Sequence, residues 1–153
     1  MPRISAGLLP YRTTTEHLEV LLVHPGGPFW ARRDLGAWSI AKGEVAPGEE
    51  PLAAAFREFQ EETGFALAGE VIALGSAKQP GGKLVCAWAI AADLDPAGIR
   101  SNQFEIEWPP RSGKRQQFPE VDRAAWFGLD EAGLRILPAQ AALLEALRRQ
   151  LQL

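Results

Sequence analysis

Between Pro51 and Gly64 the chain reads Pro-Leu-Ala-Ala-Ala-Phe-Arg-Glu-Phe-Gln-Glu-Glu-Thr-Gly, a segment that suits an α-helix and little else. Proline is tolerated in a first turn, where its missing N–H has no intrahelical partner to lose. Alanine, leucine, arginine and glutamate are strong helix formers, and no β-branched run interrupts them. Leu52, Phe56 and Phe59 recur at i, i+4 and i+7 as one apolar face, and Gly64 supplies the stop. A helix over Pro51–Thr63 dictates where its charges point. Glu58, Glu61 and Glu62 fall at i, i+3 and i+4, so their carboxylates leave on one side, beside the apolar stripe.

Like charges at this spacing destabilise an isolated helix by about 0.2–0.5 kcal/mol per pair unless a cation or base offsets them. Hard oxygen ligands grouped in this way suit Mg2+ or Mn2+, which keep several waters and bridge to substrate phosphates. The plain alternative is a solvated acidic helix face, and the three glutamates by themselves leave both open.

Their surroundings narrow the choice. Gly43 lies six residues before Glu49, Arg57 eight after it, and Gly64 closes the run GEVAPGEEPLAAAFREFQEETGF, with Phe59 and Phe65 in the two apolar slots. This segment resembles the Nudix box of the MutT-like hydrolases at every fixed position. The resemblance extends to Ala6-Gly7-Leu8-Leu9, to Trp38–Gly43 leading into the box, and to Trp126-Phe127 with Asp130-Glu131-Ala132. Ala41 departs from it, since many relatives carry proline there.

The resemblance implies an α/β fold, the Nudix-type α/β/α sandwich with a mixed β-sheet between helices. It implies a divalent-metal-dependent hydrolase, using Mg2+ or Mn2+, that cleaves a diphosphate linkage in a nucleoside triphosphate or related nucleoside polyphosphate by water attack at phosphorus. Glu58, Glu61 and Glu62 would ligate metal, with the Gly43 carbonyl as a further ligand. Arg57 and Glu49 would form an ion pair orienting the helix, a pairing that the planar guanidinium fork suits on physical grounds. Glu120, six residues before Trp126, resembles an extra metal-binding glutamate of the dinucleoside polyphosphate branch. Glu105 is a second loop candidate, and the general base stays open among these and the box glutamates.

Lys42, Arg32 and Arg33 flank the box as candidate phosphate contacts, against ordinary surface charge as the alternative. Lys83, after Gly81-Gly82, is a weaker one. Trp30, in a Gly/Pro-rich loop, is a candidate for stacking on a nucleobase, with Phe29 beside it, whereas Trp88 reads as core.

Around the box, Val20–Val23 reads as a buried strand paired with Ile4–Tyr11, while Pro25–Gly48 reads as mostly loop, interrupted by a short extended piece around Trp38-Ser39-Ile40. Strands are expected over Val71–Ser76, Lys83–Ala92 and Asp122–Phe127. Ser101–Pro119 reads as a long loop near a site. Pro138 and Leu143, Leu144, Leu147 and Leu151 suggest a terminal amphipathic helix capping the sheet. Residues 1–153 are read as a single domain, a length at which about 70% of the unfolded surface can be buried.

A net charge of −3 argues against a long nucleic-acid partner but leaves small phosphorylated substrates open. Cys86, the only cysteine, reads as a small buried thiol and excludes an intrachain disulfide. With no membrane-length apolar run, the expected location is the cytoplasm. One cysteine and the unlinked His17 and His24 fit poorly with covalent triad chemistry. Two readings compete with the leading one. A dinucleoside polyphosphate hydrolase, of the diadenosine tetraphosphate type, lies within the same family, and a non-catalytic nucleotide-sensing domain outside catalysis. Oligomeric state is not encoded in any of these features.

Overall fold

In the computed structural model, which describes residues 3–15 and 17–153, the apolar run Val20–Val23 lies within β2 (Leu18–Pro25) and is buried on both faces. Alternation explains this, because successive strand residues point to opposite sides. Leu21 and Val23 join Ala6 and Leu8 of β1 (Ile4–Thr13) in one apolar cluster, whereas Val20 and Leu22 join Leu9 in the other.

The remaining elements follow in order: β3 (Ala41–Glu44), α1 (Pro51–Thr63), β4 (Val71–Lys78), β5 (Leu84–Ala91), β6 (Gln103–Glu107), β7 (Arg115–Pro119), β8 (Val121–Gly128), α2 (Leu129–Arg135) and α3 (Ala141–Gln150). The main sheet has the order β4-β5-β1-β2-β8, with β3 also pairing β1. It is mixed: β1 is parallel to β5 but antiparallel to β2 and β3. α1 covers one face through Ala54, Ala55 and Phe59, and α3 the other through Leu143, Leu144 and Leu147. The expected α/β/α sandwich is therefore present.

α1 spans the expected residues and ends on Gly64 in the left-handed region, φ 81°, with the Gly64 N–H bonded to the Gln60 carbonyl at 2.7 Å. Its buried face differs from expectation. Ala54, Ala55, Phe59 and Thr63 are buried, whereas Leu52 and Phe56 are half-buried, because the helix presses its small residues against the sheet.

Three further expectations are corrected. Ser101–Pro119 is not a loop: β6 and β7 pair as a separate two-stranded sheet with Phe104 opposite Phe118. Phe104 and Ile106 alternate with polar residues, a period-two signal masked by the turn residues Trp108-Pro109-Pro110 and Ser112-Gly113. Pro138 opens a single 3-10 turn that precedes α3 and is not part of it. Cys86 is half-buried, although Val85 and Ala87 on either side are buried. Among the described residues no helix is long and apolar enough to cross a membrane.

Candidate active site

β3 and α1 build the acidic wall of a cleft. Arg57 organises it, because one guanidinium has enough donors for several acceptors in one plane. Its Nε and Nη2 donate to Glu49 Oε2 and Oε1 at 2.8 and 2.9 Å, the expected two-pronged pair. Nη1 donates to Glu58 Oε1 at 2.9 Å and to Glu61 Oε1 at 3.2 Å, and Nη2 also reaches the Glu44 carbonyl at 3.1 Å. Arg57 and the Ala46 N–H hold the Glu49 carboxyl well below its usual range, at about 2.

The deeper glutamates are displaced the other way. Burial pushes Glu62 up to about 8, against the opposing pull of the Lys42 charge and with the repulsion of Glu58 added. Burial likewise raises Glu58, opposed by its hydrogen bond from Arg57. Lys42 is lowered by burial first, with attraction to Glu62 opposing. Gly43 makes room for this packing: a Cβ there would lie 2.0 Å from Glu58 Cδ, so any other residue would push that carboxylate out of its present place.

These groups line a polar cleft of about 460 Å³ that contains Gly43, Glu58, Glu61, Glu62, Glu120, Lys42 and Lys83. Next to it lies a more apolar pocket of about 220 Å³, lined by Trp30, Val23, Ile40 and Leu137 and sharing Lys42, Glu62 and Glu120 with the cleft. Among the described residues no three His, Cys, Asp or Glu side chains stand in a finished metal-holding array. Arg57 Nη1 is shared by Glu58 and Glu61, so in this structure it takes the place of a positive charge between them. The donor set nonetheless fits a hard divalent cation. It consists of carboxylate oxygens, and burial raises Glu58 and Glu62 above the usual carboxylate range, a cost that a bound cation would offset.

Glu120 reaches the cleft through long-range bonds. Its N–H donates to the Asn102 carbonyl and its carbonyl accepts from the Gly26 N–H, both at 2.9 Å, while the Asn102 N–H donates to the Glu61 carbonyl at 2.8 Å. The foot of the β6–β7 hairpin is thereby tied to the end of α1. Asn102, which also lines the cleft, carried no sequence signal; nor did Ser5 on β1, because a lone polar residue in an apolar strand reads as strand.

Other candidates are not brought in. Glu105 forms an exposed pair with Arg115 at 3.1 Å. Neither Arg32 nor Arg33 lines the cleft or the pocket. Arg33 is held elsewhere, its guanidinium 5.5 Å from the Trp30 ring centre and its carbonyl accepting from the buried His24 Nε2 at 2.6 Å. His24 Nδ1 in turn lies 2.8 Å from Asp122 Oδ1, so this histidine ties the substrate-side loop to β8. Phe29 is exposed and packs edge-on against Trp108, 5.4 Å between centres, and Trp88 packs against the α1 side of the core, as expected.

Comparison with known proteins agrees with this architecture. The family model described as the NUDIX domain matches residues 1–150. An RNA pyrophosphohydrolase from Rhodospirillum rubrum is 36% identical over 66 residues, which is 41% of this chain and 38% of that protein, so the match spans well under half of that relative. Among solved structures, a C. elegans Ap4A hydrolase binary complex superposes with a TM-score of 0.69 at 21% identity, covering 97% of this chain and 98% of that one. The NUDIX domain of Shewanella oneidensis NrtR, complexed with ADP ribose, superposes with a TM-score of 0.65 at 16% identity, covering 99% and 89%. At such identities the structural likeness concerns the fold.

Proposed function

The chain belongs to the NUDIX family of hydrolases, and on that premise we propose that it is a divalent-metal-dependent enzyme cleaving a diphosphate linkage in a nucleoside triphosphate or related nucleoside polyphosphate. The observation that carries this reading is the meeting of Glu58, Glu61, Glu62 and Glu120 in one cleft with Lys42, beside a pocket lined by Trp30. Residues 1–153 act in this reading as one hydrolase domain.

Glu58, Glu61 and Glu62, with Glu120 across the cleft and the Gly43 backbone beneath, would hold Mg2+ or Mn2+. Bound there, such an ion supplies Lewis-acid polarisation of phosphoryl oxygen and a more acidic water. Lys42 neutralises phosphate oxygen as a point charge. Arg57 orients Glu49, Glu58 and Glu61, and Trp30 offers an apolar face to the base or sugar. In this reading Glu62, half-buried beside Lys42, or Glu120, more exposed, would accept the proton of the attacking water.

Glu120 also supports the second reading, a dinucleoside polyphosphate hydrolase, because it stands in the cleft at the position where that branch resembles this chain. The intact glutamate set speaks against a purely sensing domain. The test is product analysis with Mg2+ on nucleoside triphosphates, dinucleoside polyphosphates, nucleotide sugars and, given the name of the bacterial relative, a short 5′-triphosphorylated RNA. Metal-dependent turnover that Glu61→Gln abolishes supports the hydrolase and identifies the linkage; cation binding with no turnover on any substrate favours the sensing domain.

A further inference from the structure

We propose that Gln140, which lines neither cavity, is a positioning residue that holds the wall of the apolar pocket in the shape that receives the non-phosphate part of the substrate. This rests on the hydrolase reading above and extends it to a residue 100 positions from Ile40 in the chain.

The proposal stands on three pocket-lining residues, Ser39, Ile40 and Leu137, all bonded to this one residue. Gln140 is fully buried at the end of the 3-10 turn Pro138–Gln140, where the chain enters α3. Its Oε1 accepts from the Ile40 N–H at 3.0 Å, and its Nε2 donates to Ser39 Oγ at 3.0 Å and to Gln79 Oε1 at 3.1 Å. Its own N–H donates to the Leu137 carbonyl at 2.8 Å. Ser39 Oγ donates in turn to the Ile40 carbonyl at 2.7 Å, so both main-chain polar groups of Ile40 are tied to Gln140, one directly and one through Ser39. The amide can stand only one way round. A peptide N–H only donates, so Ile40 requires the carbonyl end of the side chain and leaves the NH2 end for the oxygens of Ser39 and Gln79.

Topology explains why a side chain is needed here. Ser39 exchanges both backbone bonds with Val23 of β2, at 2.8 and 2.9 Å, whereas from Ala41 onward the chain pairs with β1. Ile40 sits at the gap where pairing passes from one strand to the other, and its N–H is bonded to a side chain because the ladder on neither side supplies an acceptor. A buried N–H stripped of its acceptor costs more than the bond itself is worth, so without the amide the segment would shift toward another partner. Ser39 and Ile40 would move with it. A wall fixed before the ligand arrives spares binding the cost of ordering that wall. The acidic wall has its own support in Arg57, so Gln140 acts on affinity for the group in the pocket and not on the glutamates.

The test is isothermal titration of the purified full chain in magnesium buffer with the α,β-methylene analogues of the common ribonucleoside triphosphates and, in parallel, with inorganic tripolyphosphate, which has no group for the pocket. Gln140→Met, close in volume but without the amide, should bind the nucleotide analogues about tenfold more weakly and tripolyphosphate like the parent. Gln140→Glu keeps an acceptor for the Ile40 N–H and should return most of the lost affinity. In turnover assays the loss in Gln140→Met should fall on KM while kcat holds. Should Gln140→Met not fold, Ser39→Ala reads the same wall by cutting the relay to the Ile40 carbonyl, with about threefold weaker nucleotide binding and unchanged tripolyphosphate binding expected. Parent-like nucleotide affinity in the variant that folds, equal losses for nucleotide and tripolyphosphate, or a parent that binds no analogue more tightly than tripolyphosphate would each overturn the positioning role. Gln140-dependent nucleotide binding without turnover on any substrate would sink the hydrolase reading and leave the positioning role standing. Turnover together with parent-like titration of Gln140→Met would do the reverse.

Discussion

The two walls of the cleft are built in opposite ways. On the acidic wall, Arg57 gathers Glu44, Glu49, Glu58 and Glu61 from positions at most 13 residues away in the chain. On the substrate side the bonds that close the wall are long-range, although His24 also holds Arg33 nearby: His24 to Asp122 across 98 residues, Gly26 to Glu120, Glu120 to Asn102, and Phe29 against Trp108. The first wall is a consequence of one helix and the strand that leads into it. The second exists only after the sheet has brought distant segments together. In the proposed reading the box glutamates are thus positioned by local geometry, and Glu120 and the substrate contacts by tertiary closure, so the two walls should fail differently when mutated.

The largest effect is expected on the acidic wall. Glu62→Gln replaces a metal-binding carboxyl by an amide of the same shape, and loss of one ligand's share of cation stabilisation should lower kcat by about 10³-fold with little change in KM. Steady-state kinetics decides it; a KM effect equal to the kcat effect would blur the division between the walls. Next, Arg57→Ala should weaken Mn2+ binding about 10- to 100-fold, because Glu49, Glu58 and Glu61 lose their common orienting partner. Titration followed by electron paramagnetic resonance measures this without turnover, and unchanged affinity would show that the helix alone positions the carboxylates.

The substrate wall should respond in KM. Trp30→Ala is expected to raise KM about tenfold, the scale of one lost aromatic stack, while kcat holds. A fall in kcat of similar size would mean that Trp30 shapes the chemistry as well.

The smallest effect concerns the Glu49–Arg57 link. Because Glu49 is held at about 2, below its ordinary value of 4.5, its contribution is fully present above the unfolded value and is lost as pH falls through that value toward 2. Chemical denaturation of the parent and of Glu49→Gln should therefore differ by a constant amount above pH 5 and converge between about pH 4.5 and 2. A gap that persists at pH 2 would show that Glu49 acts through packing and not through charge.

The same division accounts for what could be read in advance. Proline at the start, the alanine run and Gly64 delimit α1 without reference to the rest of the molecule, and the i, i+3, i+4 spacing of Glu58, Glu61 and Glu62 follows from the helical repeat. Glu120 was legible through family resemblance, yet its presence in the cleft depends on bonds to Gly26 and Asn102 that no local pattern announces. Arg32 and Arg33 sit close to the box in sequence, yet neither lines the cleft or the pocket; Arg33 lies over the Trp30 ring, with its carbonyl held by His24. Ser5 shows the limit most clearly: a serine in an apolar strand is unremarkable until the fold buries it and leaves its hydroxyl without a partner.

By itself the sequence determined the box helix, its ends, the direction of its three glutamates and the guanidinium pair that orients them. All of these depend on backbone repeat and side-chain reach over a few turns. Tertiary structure alone decided which face of α1 is buried, that Ser101–Pro119 pairs as a hairpin, and that Ser5, Asn102 and Glu120 meet the helix. Those outcomes depend on how two layers of helices close over a mixed sheet, where contacts between residues about a hundred positions apart are chosen by packing and hydrogen-bond satisfaction and not by local preference.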